Sequence, residues 1–139
     1  MAVLALFPGS FDPFTAGHEA ILRRVLPLFD KVVVAVGVNS EKHYMFSVEE
    51  RMALIRQRLA DCSTVEVTSY SGMTIDLCHK LGAQVIIRGI RTAADFEYEQ
   101  TIAAVNRLQD PSIETLLLLA DPEHVNISST LERERISHT

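Results

Sequence analysis

The feature that most constrains this chain is an alternation of two kinds of segment. Short apolar runs, VLALF (3–7), KVVVAVGV (31–38), VEVT (65–68), QVIIR (84–88) and ETLLLL (114–119), are each followed by a stretch with helical periodicity. The second, fourth and fifth runs are almost unbroken in their apolar character, which suits parallel strands covered on both faces. Between them, Ile21, Leu22, Val25, Leu26 and Phe29 fall at helical spacing, with Pro27 weakening the last turn. Ser47 and Glu50 form a capping box that opens a second helix running to about Ala60. A third spans about 74–81 and stops at Gly82, a fourth covers 94–109 and ends at Asp110-Pro111, and a fifth begins near Ser129 and Glu132.

Strands that alternate with helices imply right-handed crossovers, so the pattern predicts one α/β domain over residues 1–139, a doubly wound five-stranded parallel sheet. At 139 residues, with 47% hydrophobic and 22% charged side chains, the chain can bury a core and remain soluble. No apolar run approaches the ~20 residues of a membrane helix and no signal-like leader opens the sequence, so a cytoplasmic location without membrane association is expected. Cys62 and Cys78 read as reduced, packed thiols, and Cys78-His79 lacks the second pair a metal site needs. A net charge of -5 argues against a nucleic-acid surface. It also means that clustered cations need a local reason.

In open parallel sheets, ligands bind outside the carboxyl ends of the strands. After the first strand comes PGSFDPFTAGH (8–18), where Gly9 permits close backbone approach and Ser10 and Thr15 offer hydroxyls. His18 falls in the first turn of the next helix, where free N–H groups favour an anion; a surface histidine beside an ordinary turn is the other reading. Lys42 follows the second strand, either as a phosphate-seeking point charge or as a solvated loop lysine, and His43 reads as surface. Thr74, after the third strand, either presents its helix start to a ligand or simply begins a helix.

The fourth strand ends in IIRGIRTAADFEYE (86–99). An arginine leaving a buried strand is costly unless it meets an anion or a carboxylate, so Arg88 and Arg91 either serve a ligand or pair with Asp95 or Glu97. Gly89 again admits close approach, and Glu99 is placed to meet a ribose, a base or one of these arginines. After the fifth strand, Ser128, Ser129 and Thr130 crowd one helix start, more hydroxyls than a cap requires, while His124 reads as a surface loop residue. The anion-seeking features therefore follow strands one, two, four and five, at one end of the sheet. The inferred ligand carries several phosphates.

Taken in order and spacing, PGSFDPFTAGH, RGIRTAADFEYE and ISST resemble phosphopantetheine adenylyltransferase, a branch of the nucleotidyltransferase superfamily with its Rossmann-like fold. The superfamily motif H-x-G-H stands here as TAGH, with Thr15 in place of the first histidine, as is usual in this branch. The resemblance covers essentially the whole chain. It implies transfer of AMP from ATP to 4'-phosphopantetheine with Mg2+, giving dephospho-coenzyme A and pyrophosphate, by a homohexamer. It implies His18, Lys42 and Arg88 as the catalytic set and Ser10, Lys42, Thr74 and Arg88 on the phosphopantetheine. Contacts to ATP would come from Ser10, Phe11, His18, Gly89, Ile90, Arg91 and Glu99, and from the loop His124, Val125, Asn126, Ile127, Ser128, Ser129 and Thr130. Metal-ligating side chains are not expected, because phosphate oxygens can hold the magnesium. Two rival readings remain at this point: a relative with another phosphorylated acceptor, and a nucleotide-binding module without turnover.

Overall fold

The computed structural model describes residues 2–121. The expected fifth helix and the loop His124–Thr130 lie outside the described residues. In chain order the elements are β1 (Leu4–Gly9), α1 (Ala16–Val25), a short 3-10 turn (Leu26–Leu28), β2 (Lys31–Gly37), α2 (Val48–Arg58), β3 (Val65–Tyr70), α3 (Thr74–Leu81), β4 (Val85–Ile90), α4 (Ala93–Gln109) and β5 (Glu114–Leu119). The five strands form one sheet in the order β3-β2-β1-β4-β5, and every pairing is parallel. Winding runs outward from β1 through β2 to β3, then returns to the other side of β1 at β4. The reversal point lies between β1 and β4.

Local chemistry sets the boundaries. Pro27 ends α1 at Val25 and converts the next residues to the 3-10 turn, so Phe29 is not helical as its spacing suggested. Ser47 caps α2, its hydroxyl accepting from Glu50 N–H while the Glu50 carboxylate accepts from Ser47 N–H. Gly82 ends α3 in the left-handed conformation at φ 76°.

The core has two layers because the strand period is two. Val32, Val34 and Val36 of β2 face Leu22, Val25 and Ile55 of α1 and α2, whereas Val33 and Ala35 face Ile75 and Cys78 of α3. The central strands are covered on both faces, as their apolar runs imply, and each buried Val, Leu or Ile contributes about 1.5–3 kcal/mol. Among the described residues β5 is the sheet edge, with Leu116 and Leu119 38% and 70% exposed, and the helix expected after it lies outside them.

Beside the reversal point the sheet opens. β1 pairs with β2 over six residues, from Leu4 opposite Lys31 to Gly9 opposite Val36, yet with β4 only at Ala5–Val85 and Leu6–Ile86. Pro8 has no N–H with which to continue a ladder, and its carbonyl accepts from the Arg88 guanidinium instead. A crevice therefore forms at the carboxyl ends of β1 and β4, where the topology predicts a ligand.

Candidate active site

Two cavities flank this crevice. One, of about 810 Å³, is lined by Ser10, Lys42, Thr74, Arg88 and Asn106 among others. The second, of about 800 Å³, is lined by Phe11, His18, Gly89, Arg91 and Asp95 among others. Pro8, Gly9, Ser10, Arg88 and Glu99 line both. The residues read as acceptor-binding thus share the first cavity. Of those read as nucleotide-binding, the ones among the described residues share the second, except Ile90, which is buried and lines neither; His124–Thr130 lie outside the described residues.

His18 is built into the start of α1. Thr15 is the N-cap, its hydroxyl accepting from His18 N–H at 3.3 Å. In return the His18 ring replaces the usual Glu of a capping box, Nδ1 accepting from Thr15 N–H at 2.9 Å. That bond settles the tautomer: the proton of the neutral ring sits on Nε2. Burial, then the positive charges of Arg91 and Arg88, lower its pKa from 6.5 to about 4. The site therefore holds a neutral imidazole that donates through Nε2. Phe14 stacks on the ring at 5.5 Å between centroids and Phe11 meets it edge-on at 5.1 Å.

Phe11 adopts a φ of 48°, a conformation that costs a bulky residue about 1–3 kcal/mol. Burial of its ring between Phe7 and Phe14 offsets that cost. Gly9 makes this packing possible, since a Cβ there would stand 2.9 Å from the Phe11 ring. Gly9→Ala is expected to destabilise the fold by about 1–3 kcal/mol, the usual range for overpacking, read as a lowered melting temperature.

Arg88, the last residue of the run 84–88, lies inside β4 as read, and the strand continues past it to Ile90 because its charge is satisfied there. Its Nε and Nη2 donate to the two Glu99 oxygens at 2.9 and 2.6 Å, and Nη1 donates to the Pro8 carbonyl. Burial opposes the Arg88 charge, but the Glu99 carboxylate outweighs it and holds the guanidinium above its usual pKa. The partner is Glu99, not Asp95 or Glu97. Three of the five guanidinium N–H groups are used, and the remaining two are available to an anion in the crevice. Arg91 does meet Asp95, its Nε 3.8 Å from Oδ2, while the same carboxylate caps α4 with Thr92 and accepts from Arg91 N–H; the Arg91 side chain stays two-thirds exposed.

Sequence reasoning missed a third group. The carboxylate of Asp12 accepts from Met45 N–H and Phe46 N–H at 2.7 and 2.9 Å, pinning the segment that carries Lys42 against the β1–α1 loop. Arg51 is 2% exposed and donates to the Ser10, Gly37 and Ser47 carbonyls. Its signal was present: Arg51 interrupts the helical stripe Val48, Met52, Ile55, Leu59. Asn106, a buried polar residue two turns after Glu99 on α4, was the other unread sign.

Among the described residues no three His, Cys, Asp or Glu side chains are grouped as a metal site, and no helix is long and apolar enough to cross a membrane. The chain matches the cytidylyltransferase-like family over residues 6–135. It is 52% identical over 132 residues to a phosphopantetheine adenylyltransferase of Flavobacterium psychrophilum, covering 95% of this chain and 87% of that one. It is 49% identical to one of Bdellovibrio bacteriovorus, covering 93% and 81%. Its fold resembles a bifunctional NMN adenylyltransferase/ADP ribose pyrophosphatase from Francisella tularensis, with a TM-score of 0.66, 19% identity, and 87% and 39% coverage. A lipopolysaccharide core biosynthesis protein from Thermoplasma volcanium gives 0.58, 21% identity, and 87% and 98% coverage. With this sheet, this crevice and relatives at these identities, the chain belongs to the cytidylyltransferase-like family and, within it, to the phosphopantetheine adenylyltransferases.

Proposed function

We propose that this chain transfers the adenylyl group of ATP to 4'-phosphopantetheine, giving dephospho-coenzyme A and pyrophosphate. The observation that carries the reading is the pair of cavities meeting at Ser10 and Arg88, which lets two phosphorylated ligands approach phosphate to phosphate. The acceptor occupies the Lys42–Thr74 cavity and ATP the His18–Arg91 cavity.

An oxygen of the acceptor phosphate attacks the α-phosphorus, the new P–O bond forms, and the bond to the β-phosphate breaks, carrying its electrons to pyrophosphate. The ionised nucleophile needs no general base. The chain's work is positioning and charge stabilisation. Lys42 and the two unused Arg88 N–H groups hold the acceptor phosphate, and the neutral His18 donates from Nε2 to the α-phosphoryl oxygens as their charge grows. Arg91 steadies the outgoing phosphates.

Magnesium, when bound, offsets phosphate charge. The carboxylates lining the nucleotide cavity fit a metal brought by the triphosphate and not a preformed cage: Asp12 and Asp95 accept from backbone N–H groups, and Glu99 from Arg88. The same reading includes assembly as a homohexamer, supported by the exposed Phe96, Tyr98, Val105 and Leu108 of α4 beside Leu116 and Leu119 of β5. Free Cys62 and Cys78 support a reducing, cytoplasmic setting, and the net charge of -5 supports a role away from nucleic acid.

Pyrophosphate release with ATP and each of phosphopantetheine, nicotinate mononucleotide and glycerol phosphate tests the reading. Turnover is expected with phosphopantetheine alone. Release with another acceptor reassigns the substrate, and ATP binding without release under any acceptor leaves only a nucleotide-binding module.

A further inference from the structure

Among the described residues, Arg51 is the one buried charge that the mechanism above does not use. Among the described residues no carboxylate stands within 4.0 Å of it; its acceptors are three main-chain carbonyls and its face covers an aromatic ring. Those carbonyls are not scattered. Gly37 ends β2, Ser10 follows β1, and Ser47 caps α2, so one guanidinium joins the two strand ends that frame the acceptor cavity.

The bond to Ser10 has a geometric consequence. In a trans peptide the C=O and the following N–H point in opposite directions. Arg51 Nη1 holds the Ser10 carbonyl inward at 2.8 Å, which turns the N–H of Phe11, in the same peptide, away from the buried guanidinium. Among the described residues that N–H has no hydrogen-bond acceptor, and Phe11 lines the nucleotide cavity. The other face of Arg51 lies 4.1 Å over the Tyr44 ring, and the Tyr44 hydroxyl accepts from Asn39 N–H at 2.9 Å. Tyr44 and Asn39 bracket Lys42 and line the acceptor cavity with it.

We propose that Arg51 is a positioning residue for adenylyl transfer, aiming the Phe11 N–H at the nucleotide phosphates and seating the Lys42 segment through Tyr44. It touches neither substrate. The inference deepens the adenylyl-transfer reading and rests on it.

The test compares wild type, Arg51→Met, Arg51→Lys and Tyr44→Leu by steady-state kinetics with ATP and phosphopantetheine. Arg51→Met is expected to lower kcat and raise the acceptor KM, each by about tenfold, the size of one lost charge-assisted hydrogen bond. Arg51→Lys keeps one donor for the Ser10 carbonyl and recovers part of kcat, but lacks the planar face and leaves the acceptor KM raised. Tyr44→Leu raises the acceptor KM and spares kcat. A merely structural arginine would reduce melting temperature and active fraction while every surviving Arg51 variant kept wild-type KM and per-site kcat; that result overturns the proposal. If Arg51→Met does not fold, Arg51→Lys decides by the same split. Absence of wild-type turnover would instead refute the adenylyl-transfer reading itself, before any variant is compared.

Discussion

Replacing His18 with alanine lowers kcat by about 10²–10³-fold, the usual effect of deleting one preorganised donor to a developing oxyanion. KM for both substrates changes far less, because the donor is used most when charge has built on the α-phosphoryl oxygens. The local geometry suits a histidine to the role proposed for it. Thr15 N–H occupies Nδ1, so the ring cannot swing to present its other nitrogen, and Nε2–H is fixed in direction by the first turn of α1. Burial beside Arg91 and Arg88 keeps the ring neutral with a pKa of about 4. The kcat/KM profile, which reports the free enzyme, should therefore show no His18 titration between about pH 6 and 8, where an unperturbed imidazole would titrate. Near-normal kcat in His18→Ala at saturating substrates would remove His18 from the mechanism.

The same residue predicts an acid effect on stability. Its folded pKa, about 4, lies below the unfolded value of 6.5, so between those values the unfolded chain binds a proton that the folded chain does not. Stability from this group is complete above pH 6.5 and is lost as pH falls through 4, by up to about 3 kcal/mol at 1.36 kcal/mol per pKa unit. Protonation of Nδ1 also sets its proton against Thr15 N–H and breaks the cap. Chemical unfolding of wild type and His18→Gln across pH 4–7 should show the steeper loss in wild type, and parallel curves would contradict the buried, neutral ring.

Which parts of this were legible in sequence depends on how far each interaction reaches along the chain. The strand runs, the Ser47–Glu50 cap and the Gly82 stop are local patterns, and all three stand where they were read. The location of the site was equally legible, because a parallel sheet puts its loops at one end regardless of side-chain detail. The end of β4 was less legible: the apolar run stops at Arg88, whereas Glu99, eleven residues later on α4, lets the strand continue through it to Ile90. Arg51 was hidden inside the charged run Glu49-Glu50-Arg51, although it alone of the three falls on the apolar stripe. The left-handed Phe11 had no local sign, since bulky residues rarely adopt that conformation and only the tertiary aromatic cluster supports it.

Arg88→Met should strongly impair the coupling of acceptor to ATP and also destabilise the fold, and the two effects can be separated. Glu99 is 5% exposed and accepts two hydrogen bonds from Arg88, so removing the guanidinium leaves a buried carboxylate without its counter-charge. Loss of one member of a buried pair costs about 3–5 kcal/mol, and the lower end applies because the Arg88 side chain is 27% exposed to water. Acceptor kcat/KM should fall at least about 10²-fold as the N–H groups aimed at its phosphate disappear. The double variant Arg88→Met/Glu99→Leu replaces both charges with apolar side chains and should regain most of the lost stability, since hydrophobic substitutes for buried ion pairs are often neutral. It should regain none of the activity. If the double variant instead recovers turnover with stability, Arg88 serves only to neutralise Glu99 and does not hold the acceptor. If Arg88→Met keeps acceptor KM while losing stability, the free side of the guanidinium does not face a phosphate at all.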